Sequence, residues 1–539
     1  MQSLRVAVEG CGHGTLHAVY ASVAKACEKR GWDGVDLLII GGDFQAVRNA
    51  SDLTVMACPV KYRKIGDFHS YYSGARKAPY LTLFVGGNHE ASNHLWELFY
   101  GGWVAPNIYY MGAANVLRLG GVRIAGMSGI WKGYNFRKSH YERLPYNEDD
   151  IRSIYHVREI DTRKLLQIRT KVDVGLSHDW PKGIELYGDT KSLFKNKPDF
   201  QEESRNGVFG NEAARLVMDR LRPPYWFSAH MHCRYAATRV YDALYSRASE
   251  KKLSLSPSKT ETVSIEIPKN PDEIDLDAEI TDETSTNSVQ SNKAFHLDSK
   301  EEKPDDKNAG VSSVPQDHRA RLPHAFSRSS TSVLPPAEIT NNIVRFLSLD
   351  KCLPGRKFLQ LLTVDPQTPP TPNVPKQQKL KLEYDPEWLA ITRTFDSNII
   401  LGDKSAQTPP DLGEAHYLPI IEKEREWIEE NVVKAGRLEI PENFEITAPP
   451  YKVGTPEIVK KGPREYNNPQ TQQFCDLIGI QNKFHSSAAD QNERFRNGPA
   501  AVEERWIKGS HSSDSKSRGA SFGSNRHSSR GNRRGRNHK

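Results

Sequence analysis

Apolar positions fall into short runs that end in glycine and then in polar residues, and this unit recurs along the first half of the chain. LRVAVEG, residues 4–10, reads as a buried strand. Leu16, Val19, Tyr20, Val23 and Cys27 then return at helical spacing, and Gly31 supplies the stop. VDLLIIGGDF, YLTLFVGGNHE, VDVGLSHDW and YWFSAHMH repeat the design, each delivering polar residues at the end of an apolar strand. The alternation predicts an α/β fold over residues 1–243, with its chemistry at the carboxyl ends of the strands, where open α/β sheets place their sites.

Three stretches depart from this pattern. Residues 131–171 are dense in Arg, Lys and Tyr and read as an insert whose second half is helical, with Ile151, Ile154, Tyr155 and His156 near one face. A solvated surface loop accounts for that composition as well as a nucleic-acid lid does. Residues 244–321 are polar, acidic and rich in Ser and Thr, which predicts a disordered linker. Apolar periodicity returns over 322–480: Ile339, Ile343, Phe346 and Leu347 suit an amphipathic helix, and KLKLEY reads as a strand that turns at Asp385-Pro386. Residues 481–539 are expected to form a disordered basic tail, suited to nonspecific RNA contact, to nuclear import or simply to solubility.

Composition agrees with a partly unfolded chain. Over 539 residues the hydrophobic fraction is 37% and the mean hydropathy −0.65, low for a wholly folded protein. The net charge of +7 is modest, so its distribution matters more than its sum. The 6 cysteines form no CxxC pair, which argues against a disulfide scaffold and for a reducing compartment. No apolar run is long enough to span a bilayer. The expectation is a soluble intracellular protein.

Five motifs, GCGHG, GGDF, GGNHE, SHDW and AHMH, stand at five strand ends and supply His13, Asp43, Asn88, His89, His178, His230 and His232. One such histidine is ordinary; five strand-end sites in one domain point to a metal centre. A carboxylate with two oxygens can bridge two cations about 3.5–4 Å apart, and Asp43, directly after Gly-Gly, is placed to do so. Imidazole suits Zn, Fe and Mn. On an extended strand the spacing of two in HMH puts His230 and His232 on the same side. Glu90 and Asp179, each beside a site histidine, are candidates to orient imidazoles. Cys11 is open between a metal ligand and a small core residue.

The ordered motif set resembles the calcineurin-like metallophosphoesterases, whose pattern runs GDxHG, GD, GNH(D/E), H and GHxH. Two departures, cysteine in GCGHG and alanine in AHMH, together with the basic insert and the segments FLSLDKCLPGRKFLQ and LEYDPEWLAI, are similar to the lariat-debranching branch of that superfamily. The resemblance implies a sandwich of two mixed sheets flanked by helices, with a recognition-loop insert and a C-terminal α+β region. It implies two divalent metals, Fe(II)/Zn(II) or Mn(II). His13, Asp43 and His232 would hold one, with Cys11 beside it; Asp43, Asn88, His178 and His230 would hold the other. It further implies hydrolysis of the 2′,5′-phosphodiester at the branch of excised intron lariat RNA by a metal-activated hydroxide, His89 assisting the leaving 2′ oxygen. Splicing or intron-turnover factors are the expected partners and the nucleus the expected compartment, with the cytoplasm second. Within the insert, Tyr134, Phe136 and Tyr141 are candidate stacking platforms, and Arg137, Lys138 and Arg143 candidate phosphate contacts. A protein serine/threonine phosphatase fits less well, because GGDFQAVRNAS lacks the GDxVDRG arrangement of that branch. A noncatalytic RNA scaffold predicts missing ligands, and only Cys11 departs.

Overall fold

The computed structural model describes residues 3–241, 334–366 and 380–502. The acidic linker, the first residues of the 322–480 region and the basic tail of 515–539 lie outside the described residues. Two mixed sheets form the centre, flanked by helices. The first contains Leu4–Glu9 (β1), Leu37–Ile40 (β2), Thr82–Phe84 (β3), Gly102–Ala105 (β4) and Ile108–Tyr110 (β5). The second contains Ala114–Leu119 (β6), Val122–Met127 (β7), Val174–Ser177 (β8), Tyr225–Ser228 (β9) and Tyr235–Val240 (β10). Pairs β1–β2, β2–β3, β7–β8 and β8–β9 are parallel. Strands β2 and β8 are buried along their whole length, which is why they read as continuous apolar runs rather than alternations.

Three strands from the region after residue 322 complete these sheets. Ile343–Ser348 (β11) inserts between β10 and β9, Leu359–Val364 (β12) adds beside β1, and Leu382–Tyr384 (β13) adds beside β6. The orders are β12-β1-β2-β3-β5-β4 and β10-β11-β9-β8-β7-β6-β13. One hydrophobic core therefore contains Val6, Leu176 and Trp226 together with Phe346, Leu389 and Phe474.

The amphipathic helix expected around Ile339, Ile343, Phe346 and Leu347 is corrected to a strand. Its apolar positions satisfy either period. The gap between β9 and β10 decides: β11 is parallel to β9 and antiparallel to β10, with Val344 and Phe346 buried and Arg345 exposed. Asp385-Pro386 is not a turn. Asp385 caps the helix Pro386–Phe395, its side chain accepting from the Trp388 N–H, with proline at the first helical position. The basic tail does not begin at 481, since Ala488–Asn497 is a helix capped by Ser487. In the insert the helix Glu148–Ser153 stops before Ile154, Tyr155 and His156, so these do not share its face.

Asp385 also ties the later chain to the second sheet. Fully buried, it accepts from Arg123 at 2.8 and 2.9 Å and from Arg118 at 2.6 Å. Against the opposing effect of burial, the two guanidiniums hold its carboxyl below the usual range. Asp385→Ala leaves Arg123 buried with Glu387 as its one ion-pair partner among the described residues, and removing one partner of a buried pair costs about 3 kcal/mol. Urea unfolding is expected to show a matching loss of stability; an unchanged midpoint would refute this role.

Candidate metal centre

The carboxyl ends of β1, β2 and β3 from one sheet meet those of β8, β9 and β11 from the other. Cys11, His13, Asp43 and His232 each contribute a donor atom, and the four atoms lie within 4.8 Å of one another. Asp43 is the shared member. Its Oδ2 lies 3.7 Å from His13 Nε2, and its Oδ1 lies 3.4 Å from His178 Nε2. His178 Nε2 is also 3.3 Å from Asn88 Oδ1. The rings pair as His13 with His232, centroids 5.2 Å apart, and His178 with His230, 5.0 Å apart. Asp43 thus stands between two groups of donors.

The backbone bends sharply to achieve this. His13, Asp43, His230 and His232 all have left-handed φ, between 42° and 60°, each costing about 1–2 kcal/mol in a residue with a Cβ. The expectation that HMH lies extended is therefore corrected. Two left-handed residues flank Met231 and send His230 towards His178 and His232 towards His13. The glycines serve close approach: a Cβ on Gly87 would meet Asp43 Oδ1 at 2.2 Å, and one on Gly42 would meet His178 Nδ1 at 2.2 Å.

Protonation in the site suits cation binding. Burial works to raise the pKa of Asp43, but His178, His13, His89 and His230 outweigh it and hold the carboxyl well below its usual range. Burial, helped by neighbouring imidazoles, depresses His178 to about 4 and His232 to about 3, and lowers His13. These imidazoles are neutral near pH 7, with lone pairs available. His178 Nδ1–H donates to the Gly41 carbonyl at 2.8 Å, a tautomer that aims Nε2 at Asp43 and Asn88. Asp43 Oδ2 is buried without a hydrogen-bond partner among the described residues. An ionised oxygen with no donor, facing neutral imidazole nitrogens, fits a bound cation.

Cys11 is fully buried, and its Sγ accepts the His230 N–H at 3.3 Å. Burial and the nearby carboxylates Asp43 and Glu9 push its thiol pKa up. His89 stands apart from the donor cluster. Its N–H donates to Asp43 Oδ1 at 2.8 Å, its ring lies 5.9 Å from His13, and Nδ1 has no hydrogen-bond partner among the described residues.

Glu90 and Asp179 do not orient imidazoles. The two Glu90 oxygens accept the N–H groups of Phe44, Gln45 and Gly87, at 2.8, 2.8 and 2.9 Å, binding the GGDF and GGNHE loops together. Asp179 accepts the N–H groups of Trp131 and Trp180 and so holds the start of the insert.

The insert is packed structure rather than a loose lid. Arg158 and Glu142 form a fully buried pair at 2.5 Å, and His140 meets Asp161 at 2.7 Å. Backbone bonds from Ser139 to Ala406 and from Thr408 to Arg137 join the insert to the later chain. Tyr141 is buried with its hydroxyl donated to Ser153, Phe136 packs on Trp131, and Arg143 faces Glu465 at 3.6 Å. Tyr141 is thereby corrected from a nucleic-acid contact to a packing residue, whereas Phe136 and Arg143 pack in this way and remain partly exposed. Tyr134 and Arg137 are exposed and Lys138 is partly exposed.

Sequence reasoning missed Lys351. The loop after β11 runs alongside GCGHG: Cys11 N–H donates to Asp350 O at 3.3 Å, and Cys11 and Lys351 form an isolated parallel bridge. No local pattern marks this lysine, because only the insertion of β11 brings it to the site.

His94 supports the GGDF loop from below, its Nδ1 3.0 Å from the Ala46 carbonyl. Burial, reinforced by Arg48, depresses its pKa to about 3. A histidine neutral in the fold but titrating near 6.5 when unfolded contributes stability above pH 6.5, which is lost as pH falls towards 3. His94→Asn is expected to flatten the fall in urea stability between pH 6.5 and 4.5, measured with chelator present. An equally steep fall in the variant would contradict this.

A calcineurin-like phosphoesterase family profile matches residues 4–234, and one for the lariat debranching enzyme C-terminal domain matches residues 341–483. The chain is 39% identical over 494 residues to the lariat debranching enzyme of Schizosaccharomyces pombe, covering 89% of this chain and 96% of that one. It is 39% identical over 478 residues to the human lariat debranching enzyme, 88% of this chain and 69% of that one. To the Arabidopsis thaliana enzyme it is 35% identical over 484 residues, covering 90% and 88%.

Proposed function

The chain belongs to the lariat debranching enzyme family, and we propose that it hydrolyses the 2′,5′-phosphodiester at the branch point of intron lariat RNA, releasing linear RNA. The family makes it a metal-dependent phosphodiesterase built on a calcineurin-like phosphoesterase domain. The observation that carries the reading is Asp43, a buried carboxylate with His13 facing one oxygen and His178 the other.

His13, Asp43 and His232, with Cys11 beside them, would hold one divalent metal; Asp43, Asn88, His178 and His230 would hold the second. When bound, such a pair lowers the pKa of water and neutralises charge on phosphoryl oxygens. Nitrogen and oxygen donors with an adjacent thiol suit Fe(II)/Zn(II) or Mn(II). The protein's own residues do the rest. Gly41 fixes the His178 tautomer, and Glu90 fixes the two loops that present Asp43 and Asn88. His89, anchored to Asp43 through its backbone but outside the donor cluster, supplies a proton or hydrogen bond to the leaving 2′ oxygen. The exposed Tyr134 offers a face for a base, and Arg137 and Lys138 offer charge to phosphates. The nucleus is the compartment that holds this substrate.

The substrate reading is tested by cleaving a branched oligonucleotide and its linear 3′,5′ counterpart under identical conditions. A strong preference for the branch is expected; equal rates would overturn it. His89→Ala is expected to lower turnover by roughly 10²–10⁴-fold, the usual worth of general acid help, with metal content retained. Loss of metal in parallel with activity would make His89 a ligand instead.

A further inference from the structure

We propose that Lys351 grips a backbone phosphate of the RNA strand that enters the metal centre on its His13/His232 side; this rests on the reading of RNA as substrate. The loop between β11 and β12 lies against the GCGHG turn, fixed by the Cys11–Asp350 and Cys352–Cys11 backbone bonds at 3.3 and 3.5 Å and by the bridge between Cys11 and Lys351. The bridge places the Lys351 backbone beside the GCGHG turn that carries His13. Lys351 therefore belongs to one side of the centre.

The local charge balance leaves that ammonium available. The nearest acid along the chain, Asp350, is engaged elsewhere: Oδ1 accepts the Lys351 backbone N–H at 2.7 Å, and Oδ2 pairs with Arg356 at 3.2 Å. Among the described residues Lys351 has no salt-bridge partner, and it is partly exposed. A partly exposed lysine beside the GCGHG turn, with no ion-pair partner among the described residues, is a point charge suited to a phosphate oxygen. Arg356 and Lys357, exposed farther along the same loop, extend the basic rim outward, the direction a flanking strand must take.

The test compares metal-loaded wild type with Lys351→Met and Lys351→Arg on branched RNA and on bis(p-nitrophenyl) phosphate, a diester without flanking phosphates. Lys351→Met is expected to raise KM for RNA roughly three- to fivefold. It should also reduce the slope of log KM against log salt by ~0.7, the share of one phosphate on a single strand. Metal content, melting temperature and cleavage of the small diester should stay at wild-type values, and Lys351→Arg should restore the RNA KM. Unchanged KM and salt slope would overturn the proposal, as would loss on both substrates or loss of metal, which would place Lys351 in the metal centre itself. Failure of the substrate reading shows separately, as wild-type cleavage of linear RNA equal to that of branched RNA. The Lys351 comparison is then made on the linear RNA and keeps the same two outcomes.

Discussion

A single buried carboxylate organises this molecule. Asp43 has essentially no exposure, yet its carboxyl is held well below the usual range, because the charge its neighbouring imidazoles take up on protonation outweighs burial. That is sustainable only if positive charge, or a cation, completes the site, and only if the imidazoles stay where they are. The remaining features of the centre follow from this need: neutral histidines from both sheets, the His178 tautomer set by Gly41, and the His89 amide on Oδ1.

Holding the carboxylate there requires backbone that most residues avoid. Four of the candidate ligands are left-handed, and two glycines lie where a Cβ would strike Asp43 or His178. Such strain persists when rigid surroundings over-determine it. The surroundings here are fully buried strand ends, the Glu90 carboxylate that takes three loop N–H groups, and the His94 contact to Ala46. The insert and the later chain serve the same purpose. Asp179 joins the insert to the SHDW loop, and Asp385 and β11–β13 join the later region to both sheets. Of the aromatic and basic residues singled out in the insert, these elements leave Tyr134 and Arg137 exposed and Phe136, Lys138 and Arg143 partly exposed.

The local code was read well where one element carries both its period and its punctuation. The strands ending in GGDF and GGNHE, the helix Leu16–Arg30 and its Gly31 cap, and the ordered histidines were all legible, because glycine and polar residues after an apolar run report strand ends directly. Legibility failed where two periods fit equally. Ile343, Phe346 and Leu347 satisfy a helix and a strand alike, and the open position between β9 and β10 selects the strand. It failed again for Tyr141, since composition cannot tell an aromatic that faces solvent from one that closes a buried network.

The sequence by itself determined the strand-end motifs, their order and the chemistry of their donors, because these depend on residue type and short spacing. Tertiary structure alone decided that His230 and His232 part company, that Glu90 and Asp179 hold backbone and not imidazole, and that Lys351 lies alongside Cys11. Each of those outcomes depends on contacts between segments far apart in the chain, where the backbone must leave its preferred conformation or a carboxylate must choose among several donors. No local pattern encodes that choice; the packing of two sheets against one buried charge does.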